Sequence, residues 1–218
     1  GEGGGGIYVD IEGLCLIYNS IISGNTANYK GGGIYCYNDS SITVTGCTIT
    51  GNSAKVNGGG IYSRSGTSIL LTNSIVWGNA DSSGTGQSAQ IYDEGDGMLD
   101  IWFSCIQDGN SDDANIPFGE EKFNIDDDPC FVLPGYWGHA DDTNIPVEPM
   151  DPNAVWVEGD YHLLRSSPCI EAGNPYFAYQ PGDVDMDAQP RLMGPRVDMG
   201  ADEFEIAMIV VTKPQGGE

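Results

Sequence analysis

Gly31-Gly32-Gly33-Ile34-Tyr35-Cys36-Tyr37-Asn38-Asp39-Ser40-Ser41-Ile42-Thr43-Val44-Thr45-Gly46-Cys47-Thr48-Ile49-Thr50-Gly51-Asn52 spells out most of one unit of a repeating pattern. Its opening string, Gly-Gly-Gly-Ile-Tyr, also stands at 4–8 and 58–62, so successive copies start 27 residues apart. Its closing pair has counterparts at Gly24-Asn25 and Gly78-Asn79, again 27 apart. Two independent markers that share one period identify a true internal repeat, and that governs every later inference about architecture.

Alignment on the period produces columns. Ile7, Ile34 and Ile61 coincide, and Ile91 joins them once three residues are inserted in the turn after Asn79. With that offset, Cys15, Ile42, Ile69 and Leu99 form a column. So do Ile17, Val44, Leu71 and Ile101, and then Ile22, Ile49, Val76 and Ile106. Within a unit, Ser41-Ile42-Thr43-Val44-Thr45 alternates polar and apolar, the mark of a strand with one buried face. β-branched residues dominate these runs, as strands prefer, and no sustained helical period competes. One unit cannot bury its apolar face alone, whereas stacked units share a core. Coils wound about 4.8 Å apart therefore predict an all-β fold, a single-stranded parallel β-helix with 27-residue coils and an irregular C-terminal cap.

The columns carry further expectations. Asn25, Asn52 and Asn79 fall at one turn, where each amide can bond to its counterpart in the next coil. The glycine triplets allow either a positive φ at a corner or close approach of neighbouring backbones. Tyr8, Tyr35, Tyr62 and Tyr92 sit beside the buried isoleucines, so alternation places them outside. An exposed tyrosine row either binds sugar rings or covers the flank of the sheet.

Composition agrees with this reading and excludes others. Of 218 residues 32 are glycine and only 18% are charged, which suits many short strands and tight turns rather than a helical bundle. Acidic residues number 32 against 8 basic, a formal charge of −24 that disfavours nucleic acid and anionic membranes as partners. The six cysteines contain no C-x-x-C pair, and two histidines are too few for a His-rich metal site. No run approaches the roughly 20 apolar residues a membrane helix needs. The chain opens in mid-pattern, which is expected of a segment of a longer protein.

From about Asp108 the period dissolves. The expected organisation is coils over 1–110, then a final coil, a long ordered loop and a cap over 111–206. Residues 207–218 would be a linker or the opening of an immunoglobulin-like module. The cap is needed because an open last coil exposes unpaired backbone and apolar columns.

The Gly-Gly-Gly-Ile-Tyr repeats resemble those of right-handed β-helix proteins, including bacterial surface proteins. Downstream, Asp160-Tyr161-His162-Leu163, Ser167-Pro168-Cys169-Ile170-Glu171-Ala172-Gly173, Gln189-Pro190-Arg191 and Val197-Asp198-Met199-Gly200-Ala201-Asp202-Glu203-Phe204 resemble the C-terminal signature of choice-of-anchor Q domain proteins. The resemblance spans roughly 4–205. It implies a secreted bacterial protein ending in a surface-anchoring device, and it implies no catalytic residues.

Several groups are candidates for chemistry. A lyase needs a base beside carboxylates, yet Lys30, Lys55 and Arg64 fall near no carboxylate cluster in the repeat alignment. A hydrolase needs two carboxylates held apart, whereas Asp112/Asp113 and Asp141/Asp142 are adjacent loop residues. Asp183, Asp185 and Asp187 are spaced as calcium-binding loops space their ligands, and Asp126–Asp128 offers a second cluster. The competing reading is turn formation, with Asp187 or Asp198 paired to Arg191 or Arg196. Cys15 and Cys47 read as buried thiols, and Cys130 and Cys169 as neighbours able to form a disulfide in a secreted protein.

The expected role is a non-catalytic, extracellular structural or adhesive module, with calcium as its candidate ion. Its expected partners are other surface proteins, polysaccharide, or further copies in a fibre. The alternative is a β-helix that binds or cleaves polysaccharide.

Overall fold

The computed structural model describes residues 3–95, 97–109, 122–178 and 180–205. The pair Asp112/Asp113 and the immunoglobulin-like opening at 207–218 lie outside them. Coil one comprises β1 (Ile7–Val9), β2 (Leu14–Tyr18), β3 (Ile21–Ser23) and β4 (Thr26–Ala27). Coil two repeats it as β5 (Ile34–Cys36), β6 (Ser41–Thr45), β7 (Thr48–Thr50) and β8 (Ser53–Ala54), and coil three as β9 (Ile61–Ser63), β10 (Ser68–Thr72) and β11 (Ile75–Trp77). The turn lengthened by the three-residue insertion contains the single helical turn α1 (Gln87–Gln90), followed in coil four by β12 (Ile91–Asp93), β13 (Met98–Trp102) and β14 (Cys105–Ile106).

Every contact between these coils is parallel and in the register of the columns. Ile7 faces Ile34, Ile34 faces Ile61, and Ile61 faces Ile91. Ile42 stands between Cys15 and Ile69, and Val76 between Ile49 and Ile106. The result is a parallel β-solenoid of about four coils. The column residues form one continuous interior cluster, most of them fully buried. Burying each such side chain contributes about 1.5–3 kcal/mol, which explains why the register is so uniform.

Polar ladders seal the corners. Asn25 Nδ2 donates to Asn52 Oδ1 at 2.9 Å, and Asn52 Nδ2 to Asn79 Oδ1 at 3.0 Å. Asn79 Nδ2 donates to Gln90 Oε1 at 2.9 Å, so α1 supplies the terminating rung that coil four lacks. A second ladder uses serine. Cys47 N–H donates to Ser74 Oγ, Ser74 N–H to Ser104 Oγ, and Ser104 N–H to Asn124 Oδ1.

The tyrosine expectation needs correction. The rings do stack outside the interior cluster, with centroids 5.0–5.5 Å apart. They do not form an exposed row, because Tyr35 is 2% and Tyr62 0% exposed. The first glycine of each triplet makes room for them. At Gly31 (φ 67°) a Cβ would stand 2.7 Å from Tyr35 Cβ. Lys30 then lies over the Tyr62 ring at 4.5 Å and completes the cover. The second glycine of the triplet does the other job foreseen, since a Cβ on Gly32 would sit 2.5 Å from Gly59 O.

Beyond coil four the described residues mostly lie along the side of the solenoid. A partial fifth coil is present, where Ile125 N–H donates to Ser104 O and Ile106 N–H to Ile125 O. The chain then forms an antiparallel pair, β15 (Phe131–Leu133) with β19 (Asp160–Leu163). Between them lies a three-stranded antiparallel sheet of β16 (Tyr136–His139), β17 (Asp142–Pro146) and β18 (Ala154–Val157). Trp156 packs on Gly24 and Gly51, and Trp137 Nε1 donates to Gly51 O at 3.0 Å. Further on, Gly200 N–H donates to Asn73 O, and Ala201 N–H to Thr48 Oγ1. Ile75 and Cys105, facing outward from their sheet, join Phe131, Tyr161, Leu163, Cys169 and Met199 in a second core.

All six cysteines are free thiols. The expected partnership of Cys130 with Cys169 fails because Cys169 lies beyond β19 and turns into the second core, where its thiol meets that of Cys105, whereas Cys130 stays partly exposed.

Candidate functional site

Two polar centres emerge where the C-terminal region meets the coils. The first is structural. Arg191, 1% exposed, donates to the carbonyl oxygens of Asp198 (2.9 Å), Gly200 (2.8 Å) and Asp202 (3.2 Å), and pairs with Glu203 at 3.2 Å. Its expected partners were the carboxylates of Asp187 or Asp198. The buried guanidinium instead satisfies backbone carbonyls and a single buried carboxylate. Asp198 spends its own oxygens on the N–H groups of Glu171 and Phe204. Burial pushes Glu203 up to about 8 despite the opposing Arg191. Arg196 likewise binds backbone, at Gly173 O and Ala172 O.

The second centre is an open cleft of about 560 Å³ between coil one and the C-terminal region, lined among others by Ser23, Glu158, Asp160, His162 and Asp187. Strand alternation in β19 sends Tyr161 and Leu163 into the second core and leaves Asp160 and His162 partly exposed. His162 Nδ1 meets Asp160 Oδ1, and Nε2 meets Asp187 Oδ2 at 2.6 Å. The Asp160 contact, followed by that of Asp187, lifts His162 to about 9, so the ring is cationic at neutral pH. Asp202, 4% exposed, lies behind them and accepts from Leu163 N–H at 2.9 Å through Oδ2. Burial raises its carboxyl above the ordinary range, with the Leu163 N–H and His162 pulling the other way.

Residues 1–104 match the family model described as right handed beta helix region. The match covers a little under half of the chain and coincides with the solenoid coils. No curated protein and no solved structure matches the chain. The cleft thus lies on the boundary of the β-helix region: Ile21 and Ser23 come from that region, and the titratable side chains come from beyond it.

The aspartates spaced at 183, 185 and 187 serve different ends. Asp183 Oδ2 accepts from Gln180 N–H. Asp185, 5% exposed, accepts from the backbone N–H groups of Asp187, Gln189 and Glu203. Asp187 alone reaches the cleft. Among the described residues the group able to hold a metal ion is His162, Asp187 and Asp202, with ligand atoms within 4.8 Å of one another. In the second acidic cluster, Asp126 Oδ1 accepts from Asp108 N–H, tying the partial fifth coil to coil four, and Asp128 Oδ1 accepts from Cys130 N–H in a local turn. Asp141 is exposed in the turn between β16 and β17.

Among the basic residues of the β-helix region, Lys30 and Arg64 meet a single carboxylate rather than a cluster. Lys30 Nζ lies 3.1 Å and Arg64 Nε 3.8 Å from Glu94, which holds in coil four the position of Arg64 in coil three. The signal for the cleft was present as Asp160-x-His162, the spacing that puts two side chains on one face of a strand. Nothing local pointed to Asp187 or Asp202 as their neighbours.

Proposed function

We propose that this chain is a non-catalytic, extracellular structural and adhesive module of a larger surface-anchored protein. The observation that carries the reading is the sealed tyrosine stack. A sugar-binding platform needs open aromatic faces, whereas Tyr35 and Tyr62 are consumed in packing. The interior supports the same role, because hydrogen-bonded ladders cross successive coils at their corners. Outside, β6 and β10 present a Ser/Thr-rich face on which Thr45 and Thr72 hydroxyls lie 3.1 Å apart. The acidic charge and the strings that resemble choice-of-anchor Q proteins support attachment at a bacterial surface. Other surface proteins, polysaccharide or further copies of the chain are the partners this role implies.

The cleft favours a second reading, a β-helix that binds or cleaves polysaccharide, since Glu158, Asp160 and Asp187 line one groove. Against it stands His162, whose two nitrogens are both held by carboxylates and so are not free to exchange a proton with a substrate. The discriminating experiment incubates the chain with neutral and uronic-acid polysaccharides and follows release of reducing ends. No release is expected. Sustained release that disappears in Glu158→Gln or Asp160→Asn would establish the enzyme instead. Protease treatment of intact producing cells should liberate the module, and protection until lysis would overturn the surface assignment.

A further inference from the structure

We infer that the cleft is a binding site for one divalent ion of the zinc class, held by His162, Asp187 and Asp202. The inference concerns a different set of residues from the 183/185/187 series and does not depend on the structural role proposed above.

Ligand type comes first. One imidazole nitrogen and two carboxylates is a borderline donor set, suited to zinc or manganese rather than to calcium, which takes six to eight oxygens. The three ligand atoms already lie within 4.8 Å of one another, so a single ion can touch all of them without movement of the backbone. The site is rooted on one side and open on the other. Asp202 is buried and oriented by Leu163 N–H, while His162 and Asp187 face the cleft. Asp160, on the opposite ring nitrogen, orients the imidazole as second partners of metal-bound histidines do.

Charge points the same way. Asp160, Asp187 and Asp202 stand around one imidazole. Arg191 is committed to Glu203 and three carbonyl groups. Asp202 is nearly buried, accepts from Leu163 N–H through Oδ2, and lies with its carboxylate close to His162 and Asp187. A dication placed among these carboxylates offsets their mutual repulsion.

The same cleft has room for a hydrated occupant. Tyr161 lines it beside Glu158 and Ser23 and is 4% exposed, and its buried hydroxyl makes no hydrogen bond of ordinary geometry, although Glu158 and Ser23 lie close enough to act on it. The coordination shell of an ion with three protein ligands is completed by water, which this open cleft admits.

The test is calorimetric titration of the chelator-stripped chain with zinc chloride, in parallel with calcium chloride. One zinc-class ion per chain is expected, bound at least about tenfold more tightly than calcium. Asp187→Asn, at an exposed position outside both cores, should weaken zinc binding by about tenfold or more, and Asp183→Asn should leave it unchanged. Cobalt substituted at the site should show a visible absorption band that shifts in His162→Gln. Absence of saturable zinc binding, or zinc binding indifferent to both Asp187→Asn and His162→Gln, would overturn the site. Preferential calcium binding lost in Asp183→Asn would overturn it equally, by returning the ion to the 183/185/187 series.

Discussion

Asn52 has no exposed surface, and its amide accepts from Asn25 N–H and donates to Ile22 O, Thr50 O and Asn79 Oδ1. Replacing it with alanine strands several buried backbone groups at once. Asn52→Ala is therefore expected to destabilise the chain by about 3 kcal/mol, measured by urea unfolding, and Asn25→Ala, at a part-buried rung, by about 1 kcal/mol. Thiol chemistry provides a second residue-level check. Burial pushes Cys36 up to about 12 and Cys47 up to about 11 from an ordinary 9.0. Raised folded-state values mean that these thiols contribute stability in full below the ordinary value and lose it as pH climbs toward 11 and 12. Under native, mildly alkaline conditions an alkylating reagent should label the partly exposed Cys130 and spare Cys36 and Cys47. Mass spectrometry after unfolding should find all six modified.

At the scale of elements, the turn and the excursion depend on each other. Gly51 takes φ 65°, and a Cβ there would overlap the Trp156 ring. Gly51→Ala combines backbone strain with expulsion of the indole, for an expected cost of about 3 kcal/mol. Detachment of the β16–β18 sheet should be visible as faster proteolysis within 134–158 and a red-shifted tryptophan emission. The insertion after Asn79 has an equally specific role. Gln90, fully buried, closes the asparagine ladder and also donates to Asn79 O and Thr85 O. Gln90→Ala should cost about 2–3 kcal/mol in the same unfolding assay, although the residue belongs to a four-residue helix with little stability of its own.

For the whole molecule, the C-terminal region braces the coils from the side. The outward residues Ile75 and Cys105 are buried only because Phe131, Leu163 and Met199 cover them. Arg191 ties the brace together, since its loss leaves Glu203 and three carbonyl oxygens without their cation. Arg191→Ala is expected to destabilise by about 4 kcal/mol. Calorimetry should show solenoid and brace melting in one transition, because they share a core.

The sequence by itself determined the solenoid, its 27-residue coil, its columns and its asparagine ladder. Each of these follows from stacking one unit on an equivalent unit, so that every buried residue is predicted by the residue one period away. Ile7, Ile34, Ile61 and Ile91 were legible for that reason, including the insertion that separates the last of them. What periodicity could not supply was anything lateral. The burial of Tyr35 and Tyr62 depends on Lys30 and on the glycine bends beside them. The packing of Trp156 on Gly51, the pairing of Arg191 with Glu203, and the meeting of His162 with Asp187 and Asp202 join residues without a common period. Only the tertiary structure decided these, because they arise where a non-repeating chain folds back on a repeating one and finds its partners by shape and charge.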